Sequence, residues 1–146
     1  MLFHSKNGGL SRYEKLNFFE KNLVKSKIDK RGILKKFNFY CLEKMKNKKI
    51  LNIDISNFIK NNYKEKAFFI ASGSDNDELN IICECLGINI FFKGIFGSPK
   101  IKNLIVADII TTFKIKEKQT CLIGDSINDY DAAKENNLKF IPFNYK

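Results

Sequence analysis

The chain contains no apolar segment approaching the roughly 18 residues that a transmembrane helix needs, so its 146 residues are not expected to enter a membrane. Its first residues, Met1 to Gly9, lack the basic start and apolar centre of a secretory signal peptide. Hydrophobic residues make up 44% of the chain and charged residues 29%, as in ordinary soluble globular proteins. The sequence therefore predicts a cytoplasmic protein without a membrane partner.

Arginine, histidine and paired cysteines are scarce, and each shortage argues against a class of function. Only Arg12 and Arg31 are arginines, although the net charge is +10. Nucleic-acid-binding proteins usually cluster arginine on one face, so no nucleic-acid partner is expected. The single histidine, His4, cannot serve as the late histidine that a serine esterase requires. Four cysteines without a second Cys or His pair do not make a zinc site.

Residues 1–64 and residues 65–146 show different patterns. In the first region the apolar residues follow helical spacing, and Ser11 with Glu14 forms a capping box, which predicts the start of a helix. From Ala67 onward, short apolar runs alternate with helical segments, which predicts β-α-β units and a parallel sheet. The predicted strands are 67–71, about 90–92, 120–123 and 139–142, and the predicted helices between them are 76–86, 102–113 and 128–136. We therefore predict a helical region over 1–64 and an α/β core over 65–146.

Polar side chains follow three of the predicted strands, at the edge where an open parallel sheet binds its ligands. Ser72 ends one strand, while Asp125 ends another and is followed one helical turn later by Asp129. Lys102 comes shortly after the turn at 97–99. A few hard oxygen ligands suit Mg²⁺, which usually shares its site with a phosphate, and a lysine suits a phosphoryl group as a point charge. These residues predict a site for Mg²⁺ and a phosphoryl group.

At these residues the chain resembles the haloacid dehalogenase (HAD) superfamily of phosphohydrolases, and within it the phosphoglycolate-phosphatase-like branch, which carries a helical cap. Residues 69–74 match the second motif of the superfamily, residues 97–102 the third and residues 124–129 the fourth. The resemblance implies a Rossmann-like parallel sheet with helices on both faces. It also implies that residues 1–64 are the remnant of a helical cap.

The resemblance assigns a role to each candidate residue. Ser72 and Gly73 would bind the phosphoryl oxygens, and Lys102 would balance the negative charge around the nucleophile. Asp125 and Asp129 would hold Mg²⁺, and Ser72 and Lys102 would be the catalytic residues of this chain. The reaction implied is the Mg²⁺-dependent hydrolysis of a small phosphorylated metabolite.

Purely structural roles are open for the same residues. Ser72 could be only a helix N-cap, Asp125 could cap the helix that follows it, and Lys102 could be one more solvated lysine. Lys100 competes with Lys102 as the lysine of the third motif. The alternative function is a non-catalytic binding or regulatory module that keeps a degenerate form of the fold.

The first motif of the superfamily is missing from the chain. The resemblance implies an apolar strand ending in Asp-x-Asp, whose first Asp attacks phosphorus and whose second is the general acid and base. Asp54 is the nearest candidate, but Ser56 stands where the second Asp belongs. The segment between Asp54 and Ser72 is also too short for a crossover helix and a second strand. The missing strand would lie between those ending at Ala71 and Ile123. We therefore expect an enzyme that is N-terminally truncated or split, and a chain that is inactive alone. If the enzyme is split, a separate N-terminal fragment would carry the Asp-x-Asp motif.

Overall fold

The computed structural model describes residues 10–24, 26–45 and 51–143. Within those ranges no helix is long and apolar enough to cross a membrane. The cytoplasmic location predicted from the sequence stays a prediction.

Among the described residues, three helices precede the first strand, as the apolar spacing of this region predicts. They are α1 (Arg12–Phe19, continued by a π-helical turn at Glu20–Val24), α2 (Lys30–Met45) and α3 (Ile53–Asn62). The predicted capping box is confirmed at the start of α1. The Ser11 hydroxyl accepts the backbone N–H of Glu14, and the Glu14 carboxylate accepts the N–H and the O–H of Ser11.

The remaining elements alternate in the order β1-α4-β2-α5-β3-α6-β4. The strands are β1 (Phe69–Asp75), β2 (Gly94–Ser98), β3 (Cys121–Gly124) and β4 (Lys139–Pro142). The helices are α4 (Asn76–Leu86), α5 (Lys102–Phe113) and α6 (Ile127–Glu135). Gly87 ends α4 in the left-handed conformation, with φ 67°, which glycine adopts without steric cost. The predicted alternation of strands and helices is confirmed.

Two predicted strands differ from the structure. Residues 89–91 form a short 3₁₀ helix, so the strand predicted near 90–92 is wrong, and β2 starts only at Gly94. The apolar run there packs against the helical region instead, because the ring of Phe91 lies 5.1 Å from the ring of Tyr63. β1 also continues beyond its predicted end at residue 71, with an irregular register between residues 71 and 75.

The four strands form two separate parallel sheets. β1 pairs with β2, and β3 pairs with β4. Throughout the part of the chain that the structure describes, β1 and β3 thus each pair on one side only. The other edge of each strand presents backbone N–H and C=O groups without a sheet partner.

The helices fix the order of the strands. α5 packs against both β1 and β2, α6 packs against β3 and β4, and α5 and α6 pack against each other. The two helices therefore cover one face of both sheets. Crossovers between parallel strands are right-handed, so the crossovers through α5 and α6, which lie on one face, advance in the same direction. Because α5 leads from β2 to β3 and also packs on β1, we infer the order β2-β1-β3-β4. The free edges of β1 and β3 thus lie toward each other, where the missing strand was predicted.

The hydrophobic core is built largely from side chains of α4, α5 and α6. Its buried apolar side chains are Ile82, Cys83 and Leu86 of α4, Ile105, Val106 and Ile109 of α5, and Ala132 and Ala133 of α6. The small side chains of α6 permit its close approach to α5. In contrast, Ile123 of β3 and Ile141 of β4 are 43% and 37% exposed, so one face of the second sheet is left open. The predicted α/β fold class with parallel strands and helices is confirmed. The lack of the superfamily's first strand stays a prediction.

Candidate active site

Ser72 lies in the irregular last part of β1, where the register with β2 shifts between residues 71 and 75. The Ser72 hydroxyl accepts the backbone N–H of Ser74 at 3.1 Å. The N-cap of α4 is Asp75, whose Oδ1 accepts the N–H groups of Asp77 and Glu78. The structural alternative in which Ser72 is the N-cap is therefore wrong, and its own O–H has no acceptor among the described residues.

Lys102 is held by a buried partner, and Lys100 is not. The ammonium group of Lys102 forms an ion pair with Asp129, and the two side chains are only 13% and 7% exposed. Lys100 pairs with Asp108 on the surface, where both side chains are at least half exposed. The structure thus brings Lys102, rather than Lys100, to the loop of the fourth motif.

Asp129 organises that loop. One carboxylate oxygen pairs with Lys102, and the other accepts the Ser126 hydroxyl at 2.6 Å and the backbone N–H groups of Ser126 and Asp125 at 3.1 and 3.2 Å. Position 124, directly before Asp125, requires glycine, because a Cβ on Gly124 would lie 2.3 Å from the Cβ of Asp129. Ser126, not Asp125, is the N-cap of α6, so the capping role considered for Asp125 is wrong. The metal-binding role of Asp129 stays a prediction.

The environment of Asp129 favours its ionised form. Burial raises the pKa of this carboxyl, but the hydrogen bonds from Lys102 and Ser126 outweigh burial and hold the pKa below its ordinary value of 3.8. A carboxyl whose pKa is lowered by folding adds stability that is present above its unfolded pKa. That stability is lost as the pH falls through the folded pKa.

This linkage gives a prediction for Asp129→Asn. The variant keeps the shape of the side chain and removes its charge, so we expect it to be less stable than the wild type at neutral pH. The deficit should shrink as the pH falls below 3.8, because the wild-type carboxyl is then itself becoming neutral. Urea midpoints of both proteins, measured from neutral to strongly acid pH, check this, and a deficit that does not change with pH would contradict it.

Asp125 is the free carboxylate of the loop. Its side chain is exposed and forms no hydrogen bond or ion pair with the described residues. Nowhere in the ranges 10–24, 26–45 and 51–143 do three Asp, Glu, His or Cys side chains gather closely enough to hold a metal ion. Mg²⁺ commonly takes one or two carboxylates together with waters and a phosphate. Asp125 therefore fits Mg²⁺ as one ligand of a site that needs further oxygen atoms.

A cavity of about 210 Å³ lies between the last part of β1 and the first turns of α1, α5 and α6. Gly73 and Lys102 line it, together with Ser11 and Glu14 from the first turn of α1 and Asn128 from the first turn of α6. Of the predicted residues, the structure thus brings Gly73, Lys102 and the competing Lys100 to one cavity, and it brings Asp129 to Lys102 alone. Ser72 adjoins Gly73 without lining the cavity, and Asp125 lies outside the lining.

Three of these lining residues were not predicted as site residues. Asn128 belongs to the segment that matches the fourth motif, and its Nδ2 is buried without an acceptor in the described ranges. Ser11 and Glu14 were recognised only as a helix start. Their place in the cavity depends on how α1 packs, and no local sequence signal reports that.

Helix α1 is fixed to the core by two side chains. Arg12 forms an ion pair with buried Glu78 of α4 and donates a hydrogen bond of 2.6 Å to Asn38 of α2. The Tyr13 hydroxyl donates to Asp75 at 2.9 Å. Because Asp75 caps α4 directly after the Ser72 loop, the helical region and the candidate phosphate loop share one network. The division at residue 64 stays a prediction.

Comparison with known proteins adds family evidence to this geometry. The sequence profile described as haloacid dehalogenase-like hydrolase matches residues 14–143. No curated protein matches the chain. Among solved structures, a hydrolase of the haloacid dehalogenase-like family from Streptococcus pneumoniae is similar at a TM-score of 0.55, with 22% identity over 62% of this chain. A protein from Clostridium difficile, provisionally described as a phosphatase, is similar at 0.66, with 18% identity over 86% of this chain.

The chain spans 44% and 62% of the length of those two proteins. At these identities the likeness establishes a shared fold. This likeness supports the mixed α/β fold that the strand and helix pattern predicts.

Proposed function

We propose, from the premise that this chain belongs to the haloacid dehalogenase-like hydrolases, that it is the phosphate-binding part of a Mg²⁺-dependent phosphatase for a small phosphate monoester. One observation carries the proposal. Lys102 is held by a buried carboxylate, Asp129, and lines the same cavity as Gly73 at the end of β1. Two loops that are far apart in sequence therefore converge where a parallel sheet binds ligands.

Each polar group has a part in holding the phosphoryl group. The Ser72 O–H, which has no protein acceptor among the described residues, donates to a phosphoryl oxygen, and the backbone N–H of Gly73 donates to another. The Lys102 ammonium offsets the negative charge that the phosphoryl group brings. Asp129 fixes the position of that ammonium group in turn.

Asp125 would hold Mg²⁺, and Asp129 would assist by orienting the loop. Bound Mg²⁺ supplies positive charge that polarises the phosphoryl oxygens. The carboxylate of Asp125 is exposed and unpaired within the described residues, whereas both oxygens of Asp129 already accept hydrogen bonds. The described residues offer too few ligands for a tight Mg²⁺ site, so we expect phosphate and Mg²⁺ to bind together.

Catalysis needs a nucleophile that none of these residues supplies. We place it on a strand between β1 and β3, carried by a separate segment with an Asp-x-Asp sequence, and we expect the chain alone to be inactive. The unpaired edges of β1 and β3 support this proposal. We also place the reaction in the cytoplasm.

Phosphate binding tests the proposal directly. Inorganic phosphate should bind the full chain in the presence of Mg²⁺, and Ser72→Ala should weaken binding about tenfold or more, because a hydrogen bond to a charged group contributes about 1.5–3 kcal/mol. Isothermal titration calorimetry measures this. Ser74→Ala, two residues away, is the matched control and should bind as the wild type does.

Two further results decide the proposal. Asp125→Ala should remove the effect of Mg²⁺ on phosphate affinity, while Asp77→Ala, on exposed α4 surface, should retain it. If the wild type does not bind phosphate, or if Ser72→Ala binds it equally well, the proposed site is wrong.

A further inference from the structure

The helical region carries both the excess positive charge of this chain and most of its uncovered apolar surface. Residues 1–64 contain 16 Lys and Arg residues but only five Asp and Glu, whereas residues 65–146 contain 10 and 11. Among the described residues, every buried apolar side chain belongs to α4, α5 or α6. On α2, by contrast, Ile33, Phe39 and Tyr40 are 43%, 61% and 66% exposed. A basic surface with uncovered apolar side chains is typical of a site of association.

One face of α2 forms an open groove of about 600 Å³. Its apolar lining consists of Leu34, Phe39 and Leu42, together with Tyr13 of α1. The α2 residues that line the groove begin at Lys30 and end at Leu42, a rise of about 18 Å along a helix. The groove is therefore long enough to accept apolar side chains from about three turns of another helix.

The walls of this groove are held in place by contacts with the rest of the fold. Asn38, which also lines the groove, accepts a hydrogen bond of 2.6 Å from Arg12. The Tyr13 hydroxyl donates to Asp75 at the start of α4, at 2.9 Å. Since α1 and α2 are fixed in this way, the groove exists before a partner arrives, which lowers the cost of ordering on binding.

Three basic side chains line the same groove, and two of them are available to a ligand. Lys30 already pairs with Glu20 and donates to Asn17 at 2.8 Å. Arg31 and Lys35 are exposed and form no hydrogen bond or ion pair with the described residues. None of the described acidic residues lines the groove. Its apolar lining is therefore bordered by positive charge that the described residues do not neutralise.

We propose that this groove binds an acidic amphipathic helix of a partner protein. The apolar side chains of that helix lie against Leu34, Phe39 and Leu42, and its carboxylates lie beside Arg31 and Lys35. An amphipathic helix recognises a hydrophobic groove through apolar side chains at three- and four-residue spacing, and complementary charge selects among such helices. The proposal is independent of the phosphate site, which lies in a different cavity.

Charge and shape disfavour the other occupants of the groove. A second copy of the helical region would bring a second excess of positive charge. Residues 1–9, 25, 46–50 and 144–146, which lie outside the described ranges, contain no Asp or Glu, so they do not complement the basic side chains. A nucleic acid offers phosphates to those side chains but no aliphatic partner for the leucines. A membrane surface meets protruding side chains rather than a concave lining.

Fluorescence anisotropy with the full chain and three labelled peptides of about 16 residues tests the proposal. The first peptide has Leu or Phe at alternating three- and four-residue spacing and Glu at the other positions. The second has Lys in place of every Glu, and the third is a scrambled form of the first without the apolar spacing. We expect the first to bind at least about tenfold more tightly than either of the others, because the groove requires both negative charge and helical spacing. Equal binding of the acidic and scrambled peptides, or tighter binding of the basic one, overturns the proposal.

Matched variants of exposed residues test where the acidic peptide binds. Lys35→Glu, in the groove, should weaken binding about tenfold, whereas Lys36→Glu, outside the lining, should change it less than about twofold at about 0.15 M salt, where charges are well screened. Phe39→Ser should also weaken binding about tenfold, and Leu23→Ser, a residue of similar exposure outside the lining, should not. All four side chains are exposed, so each variant should melt like the wild type. Equal effects of Lys35→Glu and Lys36→Glu would show attraction to net charge alone and would overturn the proposal.

The other occupants give results of their own in the same set of proteins. The probes are vesicles of phosphatidylcholine with about 30% phosphatidylserine, an RNA of about 20 nucleotides, and the chain itself in sedimentation velocity at rising concentration. If one of these associations is weakened by Phe39→Ser while the acidic peptide shows no preference over its controls, that occupant replaces the acidic helix. Each of these results leaves the proposed phosphate site standing, because none of the variants alters its lining.

Discussion

Adding one strand to this chain, which we propose is inactive alone, should give a Mg²⁺-dependent phosphatase. The addition we have in mind is a five-residue apolar β-strand that ends in Asp-x-Asp, fused ahead of the chain through a flexible Gly-Ser linker. It should enter the sheet between β1 and β3, whose free edges lie toward each other. Its first Asp would then reach the phosphoryl group held by Ser72 and Lys102.

The sheet edges provide the driving force for this insertion. A strand between β1 and β3 makes ladder hydrogen bonds on both sides, each worth about 0.5–1.5 kcal/mol net, and covers exposed apolar side chains such as Ile123. Free association of a peptide costs about 4–15 kcal/mol in lost freedom, which a short strand hardly offsets. A linker raises the effective concentration to the millimolar range, and about 12 Gly-Ser residues span roughly 20 Å on average.

Hydrolysis of p-nitrophenyl phosphate with and without Mg²⁺ measures the result. The matched control is the same fusion with Asn-x-Asn, which should insert and raise the melting temperature equally. Its rate should be lower by a factor on the order of 10⁴–10⁶, the loss seen when an enzyme loses a central catalytic residue. Comparable turnover by the unfused chain would disprove the predicted inactivity. A fusion that is stabilised but inactive would favour the non-catalytic binding module instead.

Much of the fold could be predicted because the core follows local rules closely. The start and end of α4 are set by Asp75 and Gly87, a polar N-cap and a glycine in the left-handed conformation, and both are legible in sequence. The strand predicted near residue 90 is wrong because its apolar run resembles a buried strand. In the structure this segment is a 3₁₀ helix that packs against Tyr63. Short apolar runs carry this ambiguity in general.

The candidate site could be predicted where it lies in contiguous motifs and not where it depends on packing. Gly73 and Lys102 line the cavity as the motifs predict. The sequence treated Asp125 and Asp129 alike, whereas the structure separates an exposed carboxylate from one that is fully engaged by Lys102 and Ser126. Spacing alone cannot make this distinction, because it depends on which carboxylate meets the lysine from a distant helix.

Replacing Arg12 with Met should strongly destabilise the chain, because it breaks an ion pair whose acidic partner is buried. Arg12 crosses from α1 to α4 to reach Glu78, whose side chain is 2% exposed, and its guanidinium also lies 4.5 Å from the ring centre of Phe37. Only Oε2 of Glu78 is paired, and Oε1 is buried without a partner in the described residues. Breaking a buried ion pair on one side costs about 3–5 kcal/mol, a large part of a total stability of about 5–15 kcal/mol. The melting temperature should fall by roughly 10 °C.

The contrast with a surface pair identifies burial as the cause. Lys100→Met breaks a pair whose partner, Asp108, is 57% exposed, and exposed pairs contribute about 1 kcal/mol or less. The double variant Arg12→Met with Glu78→Leu should regain most of the lost stability, because no charge is then left buried. Thermal melts of the four proteins decide the matter. Equal melting temperatures of Arg12→Met and Lys100→Met, or a double variant no more stable than Arg12→Met, would show that the ion pair does not hold α1 to the core. Other contacts would then fix the wall of the cavity that Ser11 and Glu14 form.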